Sequence, residues 1–232
     1  MPNLLPARQV KRLVREALAA DDWRERLPEL AGQSGPLKQS LLTALLAALS
    51  SGQSLVRWRA VNFLGRVVAD IARAEPEAGR EVMRRLVWGL NEESGAVAWG
   101  APEALGEIMA QSPLLAEEFA NLLISYVSQC DMALDFAPLK IGAVWGLGRL
   151  SQARPELMRE RSAEEPLLTL SEEPDPQVRG LAAWALGWLG GERARQRLGE
   201  LTGDDAPLEL FEGGELRLTS VGQVAGEALQ RF

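Results

Sequence analysis

A ten-residue pattern returns four times along the chain, and the interval at which it returns constrains the fold more than any other feature. Residues 56–65, 97–106, 139–148 and 178–187 align without gaps. They end on Gly65, Gly106, Gly148 and Gly187, which lie 41, 42 and 39 residues apart. Each copy has an aliphatic residue at its head (Val56, Val97, Leu139, Val178), then an alanine (Ala60, Ala101, Ala143, Ala182) and a leucine just before the glycine. Val67, Ile108, Leu150 and Leu189 follow two residues after it. Columns spaced i, i+4, i+8 and i+11 make one stripe on a helix, facing a core. A period near 40 residues describes a stacked unit that hides its apolar side only against the next copy.

A second helix is expected after each of the first. Pro76, Pro113 and Pro155 suit a helix's first turn, where the missing N–H costs nothing, and Ser112 can cap the helix at Pro113. The fourth copy opens with Asp175 as cap and Pro176 as first residue. Pro102 lies within the second copy's pattern and should kink that helix or shift its start.

Residues 175–187, Asp-Pro-Gln-Val-Arg-Gly-Leu-Ala-Ala-Trp-Ala-Leu-Gly, closely resemble the HEAT-like repeat named after phycobilisome lyases. The resemblance covers roughly residues 54–203, and copies two and three drift from it. It implies an all-α, right-handed solenoid of about five helix pairs, HEAT/armadillo-like, with partner contacts on the second helices. It says little of function, because such repeats serve unrelated roles.

The ends depart from the pattern. Residues 1–52 read as a degenerate first repeat that caps the array, with helices near Pro6–Ala20, Trp23–Leu30 and Pro36–Ser50; residues 53–205 hold the repeats. Residues 206–232 alternate apolar and polar types about Gly213-Gly214, which predicts a β-hairpin, and Ser220 with Gln223 fits a capping box for a last helix. A rival alignment makes 216–225 a fifth repeat helix.

Composition narrows the chemistry. The chain has no histidine, which removes histidine general bases and Ser-His triads, and a single cysteine, Cys130, which cannot pair within the chain. Residues 1–90 carry a balance of +5 and residues 91–232 one of −12, so a stack in chain order is electrically two-ended. No signal peptide or apolar span is visible, so a cytoplasmic, non-enzymatic protein is expected, with no cofactor, metal or small molecule. Asp131 and Asp135 beside Cys130 are a thin basis for a cation site.

The expected function is a scaffold or adaptor holding a protein partner on a preformed curved surface. Candidate contacts on the second helices are Arg84, Arg85, Trp88, Asn121 and Ser125. A tryptophan stripe on the first helices adds Trp99, Trp145 and Trp184, joined by Trp58 and Trp188; it is either a recognition strip or filler between repeats. Nucleic-acid binding through Arg8, Lys11, Arg12 and Arg15 is the alternative. A chromophore lyase-type activity rests on the repeat's name alone.

Overall fold

The computed structural model describes residues 6–32, 36–90, 98–128 and 132–232. Three N-terminal helices, α1 (Ala7–Ala19), α2 (Trp23–Gly32) and α3 (Pro36–Ala48), precede four helix pairs. The first helices of the pairs are α4 (Ser54–Ala74), α6 (Ala101–Gln111), α8 (Ala137–Ala153) and α11 (Pro176–Leu189). Their partners are α5 (Pro76–Leu90), α7 (Pro113–Ser125), the split pair α9 (Pro155–Glu160) and α10 (Glu164–Leu170), and α12 (Glu192–Leu201). Strands β1 (Pro207–Glu212) and β2 (Glu215–Ser220) and helix α13 (Val221–Leu229) close the described chain.

Local chemistry sets several of these starts. The Asp175 side chain accepts from the Gln177 N–H at 2.9 Å, and the Ser112 hydroxyl accepts from Leu115 N–H at 3.4 Å. Pro76, Pro113 and Pro155 each open a helix. Pro102 shifts a start rather than kinking a helix: α6 begins at Ala101, so the proline falls in the first turn, where no hydrogen bond is lost.

The repeat is real in three dimensions, because each anchor glycine meets the next layer. Gly65 faces Glu107 and Gln111 of α6, Gly106 faces the Gly146 backbone of α8, Gly148 faces the Trp184 ring of α11, and Gly187 faces Ala228 of α13. Around them Ala60, Leu64, Ala104, Ile108, Ala143, Leu147, Ala182 and Leu186 are fully buried. Burial of about 25 cal/mol per Å2 of apolar surface drives this stacking. Helix α13 stands where the next first helix would stand, so the rival alignment was right about the packing and wrong about the strand.

The last turn carries the signature of a two-residue hairpin: Gly213 and Gly214 have φ of +62° and +84°, which only glycine adopts without strain. Ser220 caps α13 by accepting from Gln223 N–H at 3.2 Å. The other half of the expected capping box is diverted, since Gln223 Oε1 accepts from the Thr219 hydroxyl at 3.0 Å. At the opposite end the buried Arg59 of α4 donates to the carbonyls of Leu18 (2.8 Å) and Ala20 (2.9 Å), satisfying the open end of α1.

Candidate functional site

Strand β1 lies across the first helices rather than beyond the last one. Leu208 packs over Gly180 of α11, and the Phe211 ring stacks on Trp58 of α4 with centroids 4.9 Å apart. Trp58 contacts Trp145 at 4.7 Å, and Trp145 contacts Trp184 at 6.3 Å, so the rings form a ladder under the strand. Side chains also grip the main chain. The Gln177 amide donates to Glu209 O (2.6 Å) and accepts from Glu209 N–H (2.9 Å). Trp145 Nε1 donates to Phe211 O at 2.8 Å, Trp184 Nε1 to the Glu212 carboxylate at 3.0 Å, and Arg24 of α2 to Gly213 O at 2.8 Å.

Beside the hairpin tip a cleft of about 320 Å3 is lined by Arg24, Glu107, Trp145, Arg149, Gln152 and Glu212. Glu107 is buried and accepts from Arg149 (2.7 Å) and Gln111 (2.5 Å). Burial pushes its carboxyl above the usual range, and the Arg149 charge opposes that. One turn earlier, Glu103 is buried without a hydrogen-bond partner on Oε2, and desolvation raises it to about 7 despite the nearby Arg57. Every charged group lining the cleft is an arginine or a glutamate, and among the described residues no cluster of His, Cys, Asp or Glu suits a metal ion.

The sequence-derived candidates divide into two places. Trp145 and Trp184 are buried beneath the hairpin. They touch each other across a repeat boundary and also hold β1, so they fill space and bind strand at once. Trp99 leaves the stripe because α6 starts after it; it is 39% exposed and packs edge-on against Phe136 at 5.9 Å. Near it, Arg85 is exposed and borders a hollow of about 280 Å3 with Leu49, Gly89 and Trp99. Trp88, one turn along α5 from Arg85, is 71% exposed. Arg84 is exposed but paired with Glu77 (2.6 Å) and Glu81 (2.9 Å). On α7, Asn121 is exposed and the Ser125 hydroxyl donates to Leu122 O at 2.7 Å. Cys130 and Asp131 lie outside the described residues.

Sequence reading missed Gln177, Arg24, Glu103 and Glu107. Only the glutamates left a trace. Glu107 and Arg149 sit one residue after the glycine in neighbouring copies, so opposite charges share a column and meet in the stack.

Residues 132–210 match the family of HEAT repeats. Over that stretch the chain is similar to HEAT repeats. An uncharacterized protein of Archaeoglobus fulgidus is 26% identical over 187 residues, covering 80% of this chain and 94% of the relative. Among solved structures, an engineered protein of the Northeast Structural Genomics Consortium superposes with a TM-score of 0.52 at 19% identity, covering 96% of each chain. A designed armadillo repeat protein in complex with the peptide (KR)4 superposes with a TM-score of 0.51 at 21% identity, covering 97% of this chain and 99% of that one. At these identities the likeness establishes the fold alone. The HEAT-repeat match does not extend to a phycobilisome-lyase subtype.

Proposed function

We propose that this chain is a non-enzymatic adaptor that docks a protein partner on the surface around the end of α5 and the start of α6. The carrying observation is the exposed aromatic Trp88, 71% accessible, with Trp99 and Phe136 also open beside the Arg85 hollow. Water-exposed aromatics of this size, with an arginine alongside, have the composition of an interface hot spot. Among the described residues Arg85 has no acidic partner. The peptide complex of the designed armadillo neighbour supports the reading by analogy of fold.

In this reading, residues 1–52 cap the array, 53–205 are the repeats that carry the binding surface, and within 206–232 helix α13 closes the other end while the hairpin lies across the first helices. The chain works in the cytoplasm, without a cofactor. Among the described residues no helix is long and apolar enough to cross a membrane.

The test is partner capture from cell extract at low salt by the parent chain, Trp88→Ala and Trp99→Ala. The expected result is a specific partner retained by the parent and lost from both variants. Equal retention by all three would remove this surface.

A second reading has one observation behind it: Arg8, Lys11, Arg12 and Arg15 are all exposed on α1. A salt-sensitive mobility shift with duplex DNA or RNA, abolished by Lys11→Glu with Arg15→Glu, would favour nucleic acid.

A further inference from the structure

The hairpin leaves one strand edge open. In an antiparallel pair, alternate residues turn their backbone groups toward the partner strand or away from it. Glu209 and Phe211 turn theirs away from β2, since Gln177 and Trp145 capture those groups. Their cross-strand partners are Leu218 and Leu216. These two therefore direct N–H and C=O to the outer edge of β2, where among the described residues no hydrogen bond reaches them. The Leu218 side chain is 76% exposed at the same place.

Natural sheets guard such edges, because an unpaired row of donors and acceptors is a template for another strand. Here the edge is held ready. Gln177, Trp145 and Arg24 clamp β1 from beneath, and Leu208, Leu210 and Phe211 are buried, so β2 need not be ordered when a strand arrives. Its surroundings are acidic. Glu209 and Glu215 are exposed, while Arg217, the hairpin's only cation, is engaged by Glu227 at 2.6 Å.

We propose that the free edge of β2 takes an extended, basic segment of a protein partner as a third strand. Main-chain hydrogen bonds to Leu216 and Leu218 would supply the attachment, and an apolar side chain of the partner would cover Leu218. Lysines or arginines flanking it would turn to the opposite face, which carries Glu215. The proposal goes beyond the Trp88 surface by assigning a second, separate docking site, and it rests on the protein-binding reading only in taking the partner to be a protein.

The probe is acetyl-Lys-Val-Lys-Val-Lys-Val-amide, titrated into the full chain at low salt, with amide hydrogen exchange followed at Leu216 and Leu218. Expected is at least tenfold slower exchange at both amides at saturation, and no such effect from the matching Glu-Val peptide. Leu218→Pro removes the outward N–H without touching a β1–β2 hydrogen bond, a change edge strands tolerate. It should weaken binding at least tenfold, while Trp88→Ala leaves binding unchanged. Unaltered exchange at millimolar peptide would overturn the proposal. So would equal binding by Leu218→Pro, or a dimer of the parent that this variant dissolves, which would make the occupant a second copy. If Leu218→Pro does not fold, the exchange data on the parent decide. Because Trp88→Ala reports on the other surface, loss of either site is read separately.

Discussion

Trp145 and Phe211 stand 66 residues apart in the chain, yet the indole N–H of one donates to the carbonyl of the other at 2.8 Å, within the aromatic ladder. The bond ties the hairpin to the middle of the repeat stack. Trp145→Phe keeps a ring and deletes the donor, leaving a buried carbonyl unmet. Urea unfolding should show a loss of about 1–3 kcal/mol. Trp145→Ala should cost about 3–5 kcal/mol. Equal stability of the parent and Trp145→Phe would show that the ring alone holds the strand.

Close approach between first helices makes another prediction. A methyl group on Gly106 would collide with the Gly146 backbone, which cannot move aside as a side chain can. Gly106→Ala should therefore lower stability by about 1–3 kcal/mol or more. Gly199, inside α12, has open space around it. There the same substitution should raise stability by about 0.4–1 kcal/mol, through the unfolded chain's lost freedom. Thermal unfolding of the two variants should move in opposite directions.

Glu103 should give the fold a pH dependence. Its carboxyl is raised to about 7 by burial, against 4.5 as the ordinary value. Below pH 4.5 both folded and unfolded chains hold the proton and burial carries no charge penalty. Between pH 4.5 and 7 the unfolded chain releases its proton first, so stability falls as pH rises, and the loss is complete above about 7. The amount is on the order of 3 kcal/mol. Glu103→Gln should remove that slope and be the more stable protein at pH 8. Glu107 is raised in the same direction, so the difference between parent and Glu103→Gln, measured by denaturant titration across pH, isolates the group. A pH-independent difference would sink the assignment.

The Gln177 amide is the clamp at the start of β1. Gln177→Ala should leave the repeats folded and speed hydrogen exchange at the Glu209 amide, whose acceptor among the described residues is Gln177 Oε1. The loss in global stability should be about 1 kcal/mol, because this region is partly exposed. Protection at Glu209 unchanged from the parent would show that the Gln177 amide does not shield that group.

Much of the fold was legible in the chain. Gly65, Gly106, Gly148 and Gly187 repeat because each meets the next layer, and their spacing is printed in one dimension. Caps at Ser112, Asp175 and Ser220 and the Gly-Gly turn are local chemistry, decided by neighbours within a few residues. The candidate site was less legible. Trp99 shares a column with Trp58, yet Pro102 delays its helix and sends the ring to Phe136. Glu103 occupies the column of Trp145 and Trp184, and its burial follows only from how closely α6 and α8 pack.

What the amino-acid order alone determined was the unit: two helices, their ends, their apolar stripe and the number of copies, because hydrophobic periodicity and capping act over short separations. What only the tertiary structure decided was where the unit's unpaired surfaces go. The C-terminal hairpin folds back over the tryptophan ladder, burying Trp145 and Trp184 while leaving Trp88 in water and one edge of β2 open. That choice depends on matching a strand's backbone groups to side chains many residues away, and such matching has no period to read.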